Sequence, residues 1–176
     1  MPTLLESKLY MPEPAGDYVA RSRLYAQLDQ AARRRLTLLC APAGFGKTTL
    51  AAAWVRSLLA THAGGAPLRA AWYTIDEQDD DLLTFVRYLV AAIQTADADL
   101  LRNWVELDQR PDTIIPEQLA DQLAAELQNI EGQLVVALDD YNFVANEQIH
   151  RLISQLLRHL PPTMHLVITS RYDPPI

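Results

Sequence analysis

The sequence predicts an α/β fold in which a parallel β-sheet is covered by helices on both faces. Four short, β-rich apolar runs alternate with longer segments of helical periodicity. The first run is almost unbroken in its hydrophobicity, as expected of a strand that is buried on both faces. Such an alternation of strands and helices favours right-handed crossovers and therefore parallel pairing of the strands.

In the first half of the chain, the hydrophobic pattern predicts two strands and two helices. A strand over Leu36–Ala41 is followed by a glycine-containing loop and a helix over Thr48–Leu59, which has apolar residues at helical spacing. Arg69–Asp76 is predicted as the second strand. Carboxylates at Asp79–Asp81 complement the positive end of a helix dipole, so the next helix is predicted to begin there and to run to about Ile93.

The second half continues the alternation after an irregular stretch from Thr95. Pro116 is placed as the first residue of a helix through Ile130, and Gly132 as its end. Gln133–Asp140 is the third predicted strand. The last two predicted elements are a helix over Glu147–Leu160 and a strand over His165–Arg171.

Length and composition restrict the class of protein. The chain has 176 residues, of which 49% are hydrophobic and 21% charged, so it has the composition of one globular domain. A net charge of −7 argues against direct binding of nucleic acid by this chain. No apolar run has the length of a membrane span, and the single Cys40, predicted as an inert buried thiol, fits a reducing compartment. We therefore expect a cytoplasmic domain without membrane association.

The sharpest motif is APAGFGKT at Ala41–Thr48, here called the phosphate loop, between a predicted strand and a predicted helix. Backbone N–H groups at such a junction converge on an anion, and Gly44 and Gly46 permit the backbone angles that this needs. Lys47 can reach terminal phosphate oxygens, and the Thr48 hydroxyl suits Mg²⁺. The alternative is an ordinary glycine-containing connection, which the strand–loop–helix context disfavours. The usual first glycine of this motif is Ala41 here, which should affect mainly the turn out of the strand.

Two acids end the third predicted strand, and an arginine ends the fourth. Asp139 is placed to hold Mg²⁺ through water, and Asp140 to orient or deprotonate an attacking water. Asp140 is shorter than a glutamate, which indicates slow turnover. Arg171 lies at the same carboxyl edge and could contact a γ-phosphate, although a plain surface arginine fits the local sequence equally well. Without the phosphate loop, the acids would mark only the exit of a strand to solvent.

Other polar and aromatic residues carry weaker signals. The four histidines show no metal-ligand spacing and are expected at surfaces or helix ends; they are His62, His150, His159 and His165. The three tryptophans are predicted as core residues; they are Trp54, Trp72 and Trp104. Arg33–Arg35 is interpreted as a solvated helix end and not as a nucleic-acid patch.

Taken in order, these segments resemble the N-terminal nucleotide-binding domain of MalT-like regulators, which are ATP-binding, LuxR-type transcription activators of the STAND branch of phosphate-loop ATPases. The matching segments are LYMPEP, DYVARSRL, RRLTLLCAPAGFGKTTL, AAWYTIDEQDDD, LVVALDDYN, IHRLISQLLRHLPP and HLVITSRYDPP. The resemblance covers nearly the whole chain, which is therefore expected to be one P-loop NTPase domain, residues 1–176, of a larger multidomain regulator.

The resemblance also implies roles for individual residues, with ATP or ADP and Mg²⁺ as cofactors. Val19 and Arg21 would line the adenine side, and Thr48 and Asp139 would serve Mg²⁺. Catalytic roles fall to Lys47, Asp139, Asp140 and Arg171, the last as a γ-phosphate sensor. The phosphates would be held by Pro42, Ala43, Gly44, Phe45, Gly46, Lys47, Thr48 and Thr49. Asp76 is a possible outer-shell member, and Asn142 stands where the family has a histidine.

Full-length members of the family continue beyond this region with a fifth strand, an inducer-sensing module and a DNA-binding module. The fifth strand would pair with Leu36–Ala41, so its absence would leave a hydrophobic sheet edge open. Self-association through that edge, or coverage of the edge by Leu4–Leu9, is predicted.

The leading hypothesis is an ATP-binding switch that hydrolyses ATP slowly. Two other classes stay open: a small phosphotransferase, and a nucleotide-binding interaction module without turnover. A phosphotransferase would need an acceptor pocket and usually a lid with arginines. The sequence shows no cluster of lid arginines, and Thr95–Arg110 is the only loosely structured candidate for a lid. Free phosphate as the sole product from ATP would favour the switch.

Overall fold

A computed structural model describes residues 4–14, 19, 21–62, 66–104, 115–128 and 130–176. Its strands are β1 Leu36–Cys40, β2 Leu68–Thr74, β3 Gln133–Asp139 and β4 Met164–Ser170. Its helices are α1 Ser22–Ala31, α2 Lys47–Thr61, α3 Leu82–Ala96, α4 Pro116–Leu127 and α5 Glu147–His159. Short 3-10 helices cover Glu6–Leu9, Glu77–Asp79, Arg102–Trp104 and Tyr141–Phe143.

The four strands form one parallel sheet in the order β1-β4-β3-β2. In its register, Leu38 on β1 faces Ile168 on β4, and Ala137 on β3 faces Val167 on β4. The predicted parallel sheet is confirmed, and each predicted strand and helix is present with its ends shifted by a few residues. The 3-10 helices are additions that the sequence pattern does not single out. The bounds of α1 are also new, although the interpretation of Arg33–Arg35 as a helix end implied a helix before β1.

Successive side chains of β3 supply two hydrophobic cores on opposite faces of the sheet. Val135 and Ala137 face α1 and α2, whereas Leu134, Val136 and Leu138 face α3, α4 and α5. This alternation is the period-two pattern of a strand, and it confirms helices on both faces. The three tryptophans are buried, as predicted.

The prediction that β1 is buried on both faces is wrong, and of the two alternatives for its open edge, self-association or coverage by Leu4–Leu9, the second does not hold. The strand is half-buried along most of its length because it lies at an edge of the sheet and has only β4 as a neighbour. The Leu4–Leu9 segment does not cover that edge: it packs near β2 and α3, where the Leu5 amide donates to the Tyr88 hydroxyl at 3.0 Å. In the part of the chain that the structure describes, no strand pairs with the outer side of β1.

Three polar residues also lie elsewhere than predicted. His165 is buried, donates from Nδ1 to the Arg34 carbonyl at 2.6 Å and lies 2.9 Å from the Thr37 hydroxyl. Burial lowers its pKa, and the bond to the carbonyl opposes that shift. His150 is buried too, and Cys40 is exposed at the end of β1. Cys40 is exposed because it lies at the end of an edge strand. The two histidines can be buried because their ring nitrogens have hydrogen-bond partners inside the protein.

Among the described helices, none combines the length and the apolar character required to cross a lipid bilayer.

Candidate functional site

The phosphate loop connects the end of β1 to the first residue of α2, Lys47. The Ala41 amide donates to the Ser170 carbonyl at 3.2 Å, which holds the start of the loop against β4. Gly44 and Gly46 have φ angles of 81° and 75°, in the left-handed region that favours glycine. A Cβ added at either would meet no atom within 4 Å. Both glycines are therefore required by the backbone turn and not by crowding from the protein.

A cavity of about 400 Å³ opens beside this loop, at the carboxyl edge of the sheet. It is lined by Ala43, Gly44, Gly46, Lys47, Thr48, Thr49, Asp140 and Arg171. The structure thus brings the loop, the second acid and the terminal arginine to one place, although they are far apart in sequence. Lys47 is largely buried, and its ammonium donates to the Pro42 carbonyl at 3.2 Å. Phe45 is instead exposed at the tip of the loop.

Below the cavity, Asp139 is buried at the end of β3 and accepts two hydroxyl hydrogen bonds on Oδ1. Thr48 donates one at 2.8 Å and Thr169 the other at 2.7 Å. Burial raises the pKa of Asp139, while these two bonds act in the opposite direction. The carboxylate is therefore poorly solvated and would gain from a nearby cation.

Thr169 is a site residue that sequence reasoning missed. Besides donating to the Asp139 carboxylate, its hydroxyl accepts from the Asp140 backbone amide at 2.9 Å, so one side chain contacts both acidic residues. The available signal was a hydroxyl residue at the carboxyl end of β4, but nothing in the sequence shows that β4 lies next to β3.

Mg²⁺ fits the donor set at Thr48 and Asp139, since both offer the hard oxygen ligands that this ion prefers. Across the described ranges, no group of three or more His, Cys, Asp or Glu side chains is arranged to hold a metal ion. An ion at Thr48 and Asp139 would thus depend on phosphate and water for its remaining ligands.

Asp140 differs from its neighbour in backbone and in exposure. It has a φ of 56°, which is uncommon for a residue other than glycine. Its side chain lines the cavity, whereas Asp139 lies beneath it. The turn that Asp140 begins continues into the 3-10 helix Tyr141–Phe143. Strain of this kind is a frequent property of functional sites.

Arg171 reaches the same cavity from the end of β4, and its guanidinium lies over the ring of Phe143, with 5.6 Å from Cζ to the ring centroid. The next residue, Tyr172, donates from its hydroxyl to the Asn142 carbonyl at 2.7 Å. Phe143 is a second residue that the sequence analysis missed, because an apolar residue after two acids carries no chemical signal.

The residues assigned to the adenine side lie beside a second cavity of about 250 Å³. Val19, Arg21 and Leu50 line it together with Gly46 and Thr49, which also line the first cavity. The two spaces therefore adjoin through the phosphate loop and the first turn of α2, in the order that a base and a phosphate chain would need.

Asp76 has other partners than the predicted metal site. Its Oδ2 lies 2.8 Å from the Lys8 ammonium, and its Oδ1 accepts from the Gln78 amide at 2.9 Å. The carboxylate of Asp76 therefore caps a 3-10 helix and pairs with a lysine. Among the described residues, no hydrogen bond links it to Asp139, although the Ile75 amide donates to the Asp139 carbonyl at 2.9 Å.

Comparisons with known proteins show what the chain as a whole is similar to. Residues 16–171 match a family model described as Nephrocystin 3, N-terminal. The HTH-type transcriptional regulator MalT of Yersinia pestis (strain Pestoides F) is 37% identical over 171 residues, which are 97% of this chain and 18% of that protein. MalT of Yersinia enterocolitica serotype O:8 is 37% identical over 98% of this chain and 18% of its own length. The chain thus spans less than a fifth of these relatives, and they confirm the resemblance indicated by the motifs.

A solved structure supports the fold independently. A chain in the structure of Drosophila ORC bound to DNA aligns with 85% of this chain and 36% of its own length, at a TM-score of 0.53 and 14% identity. At that identity the likeness shows the fold alone, and it confirms an α/β fold of the P-loop NTPase type.

Proposed function

The chain belongs to the Nephrocystin 3, N-terminal family, and on this basis we propose that it is the ATP-binding switch domain of a MalT-like, LuxR-type transcription regulator. One observation carries the proposal: the loop amides, Lys47, Thr48, Asp140 and Arg171 surround a single cavity above the buried Asp139. A helix N-terminus, an ammonium and a guanidinium around one space favour a polyanion.

ATP or ADP would place its phosphates on the backbone of Pro42–Thr49 and its base beside Val19 and Arg21. The adjoining cavities of about 400 and 250 Å³ support this orientation, since they share Gly46 and Thr49. Mg²⁺, when bound, would neutralise phosphate charge, and Thr48 and Asp139 would hold it. The Lys47 ammonium would exchange its bond to the Pro42 carbonyl for a stronger, charge-assisted bond to phosphate.

The proposal includes slow hydrolysis of ATP, which the same arrangement supports. Asp140 lines the cavity with a side chain that can accept a proton from water or orient it. Arg171 lines the same cavity and would face the terminal phosphate. A short aspartate at this position is a weaker fit for a water molecule than a longer glutamate, and turnover would be slow.

The switch is proposed to act on further modules of a full-length regulator. The chain corresponds to 18% of the MalT relatives, which are named as HTH-type transcriptional regulators, so C-terminal sensor and DNA-binding modules are the proposed partners. Nucleotide identity can shift the states of such an assembly only by as much as ATP and ADP differ in affinity for them. A difference of about 1–3 kcal/mol is typical of such coupling.

The test is a thermal-unfolding titration with Mg-ATP and with Mg-ADP, on the chain and on Lys47→Ala. Ligand at about 100 times its Kd should add about 2.7 kcal/mol of stability. For a domain of this size each kcal/mol raises Tm by roughly 2–4 °C, so the expected shift is roughly 5–11 °C. Lys47→Ala should lose at least about tenfold in affinity, because it removes a charged hydrogen bond. Equal shifts for the two proteins would place the nucleotide outside the phosphate loop, and no shift for either would refute the proposal.

A further inference from the structure

We propose that Phe143 is a positioning residue that holds Arg171 against the cavity and thereby sets the preference of the site for a nucleoside triphosphate over a diphosphate. The inference rests on the proposed function and adds to it a determinant of specificity. It stands on contacts that the motifs do not reveal.

Arg171 and Phe143 are in contact at the wall of the cavity. Arg171 is exposed and lines the cavity, and in the same conformation its guanidinium lies 5.6 Å from the centre of the Phe143 ring. A cation at this distance over an aromatic face is attracted by the negative charge of the π-system. Since a free arginine side chain has many rotamers, the ring restricts the guanidinium to the wall of the cavity.

The ring can act in this way only if it is itself fixed. Phe143 is half-buried and packs against the core shared by α3, α4 and α5. It ends the 3-10 helix Tyr141–Phe143, whose first residue is buried and has its hydroxyl 3.0 Å from His150 Nδ1. Both neighbours of Asn142 in this short helix are therefore anchored in the interior.

The same short helix is bound a second time to the end of β4. The Tyr172 hydroxyl donates to the Asn142 carbonyl at 2.7 Å. Two consecutive residues, Arg171 and Tyr172, thus contact the two consecutive residues Asn142 and Phe143. On the far side, the amides of Ala145 and Asn146 donate to Asp80 Oδ1 at 2.8 and 2.7 Å. The segment that presents the ring is consequently fixed at both ends.

A cation held in advance binds its anion more tightly, because less conformational freedom is lost on binding. The group opposite Arg171 in the proposed function is the γ-phosphate, which a diphosphate lacks. Loss of the ring should therefore weaken binding of ATP and leave binding of ADP unchanged. A leucine would keep the apolar packing of Phe143 but would present no π-face to the guanidinium.

The experiment measures Kd values for Mg-ATP and Mg-ADP by calorimetry on wild type, Phe143→Leu, Phe143→Tyr and Arg171→Ala. Phe143→Leu should weaken Mg-ATP about two- to fivefold, the range expected of an exposed cation–π contact, and leave Mg-ADP within error. Phe143→Tyr should restore the ATP preference. In the Arg171→Ala background, Phe143→Leu should have no further effect on either nucleotide, which makes the pair a double-mutant cycle.

Tyr172→Phe provides a variant at an exposed position that removes only the hydroxyl bond to Asn142. It should lower the ratio of ATP to ADP affinity in the same direction by a smaller factor, so the inference can be tested even if Phe143→Leu does not fold. Equal weakening of both nucleotides by Phe143→Leu, a gain in ATP affinity, or an undiminished effect without Arg171 would overturn it. If wild type bound neither nucleotide, the proposed function itself would be wrong, and the inference would fall with it.

Discussion

Lys8 Nζ lies 2.8 Å from each carboxylate oxygen of Asp79, a residue with no exposed surface. The same ammonium is 2.8 Å from Asp76 Oδ2 and 4.8 Å from the centre of the Tyr88 ring. Asp79 also accepts from the Asp76 amide at 2.9 Å. A buried cation from the N-terminal segment therefore joins the turn that follows β2, at the edge of the sheet opposite β1.

Replacement of Lys8 by methionine should reduce the free energy of unfolding by about 3–5 kcal/mol. The change leaves the Asp79 carboxylate buried without its cation, which costs far more than the net value of the pair. Chemical denaturation measures the effect. Arg102→Met is the matched control, because Arg102 pairs with Asp99 at the surface and its loss should cost less than about 1 kcal/mol. Equal losses in the two variants would contradict the buried-pair interpretation.

The Lys8 cluster should also make stability depend on pH in acid. Burial raises the pKa of Asp76, but hydrogen bonds from Lys8 and Gln78, with the Lys8 charge, outweigh it and hold that pKa below its ordinary 3.8. A carboxyl whose pKa is lowered by folding contributes stability at pH values above its pKa in the unfolded chain. This stability is lost as the pH falls through its pKa in the folded protein. The free-energy difference between wild type and Asp76→Asn should therefore be largest near neutrality and shrink below about pH 4. A difference that does not vary between pH 7 and pH 3 would show that the Asp76 charge is not involved.

In alkaline solution the relevant group is Lys8, whose pKa is raised in the folded protein. Burial lowers it, but the bonds and charges of Asp76 and Asp79 raise it above 10.5. The stability that Lys8 contributes is complete below its pKa in the unfolded chain. It is lost only as the pH rises through the raised pKa of Lys8 in the folded protein.

Thr169→Val should disturb the candidate site more than Thr169→Ser. Valine removes the donor to Asp139 and the acceptor for the Asp140 amide, while serine keeps both. Because Thr169 is fully buried, unsatisfied polar groups should cost the valine variant about 1–3 kcal/mol in unfolding free energy. The gain in ATP affinity on adding Mg²⁺ should also be smaller in the valine variant than in the serine variant. Identical behaviour of the two variants would rule out a role for the hydroxyl.

Gly132→Ala should destabilise the protein more than Gly44→Ala. Both glycines have positive φ angles, 87° and 81°, so alanine is strained at either position by roughly 1–3 kcal/mol. At Gly132 the new Cβ would also lie 2.1 Å from the Pro67 carbonyl oxygen, which accepts a hydrogen bond from the Gln133 amide. At Gly44 the new Cβ would meet no atom within 4 Å. Denaturation in the absence of nucleotide measures both costs. A larger loss for Gly44→Ala would contradict this order.

The elements that sequence reasoning found are those with a local signal. Buried strands such as Gln133–Asp139 show continuous hydrophobicity, and the helix beginning at Pro116 has a proline at its first position. The phosphate loop is also local, because its glycines, Lys47 and Thr48 follow one another. Patterns of this kind depend on neighbours in the chain and can be recognised without knowledge of the sheet order.

The features that sequence reasoning missed depend on contacts between distant parts of the chain. Lys8 lies 71 positions from Asp79, and Thr169 lies 30 positions from Asp139. The apolar run of β1 predicts burial on both faces, and only the resemblance to MalT-like regulators indicates that this strand forms a sheet edge when no fifth strand pairs with it. The parallel sheet follows from the sequence, but the order of its strands and the pairs it creates do not.

The outer side of β1 leaves a row of peptide groups without a partner strand in the described part of the chain. Such a row can serve as a template for growth of the sheet from one molecule to the next. A net charge of −7 makes the molecules repel each other over roughly 10 Å at 0.1 M salt, and less at higher ionic strength. Colloidal stability of this protein should therefore decline in concentrated salt, where charge no longer keeps one molecule's edge away from another's.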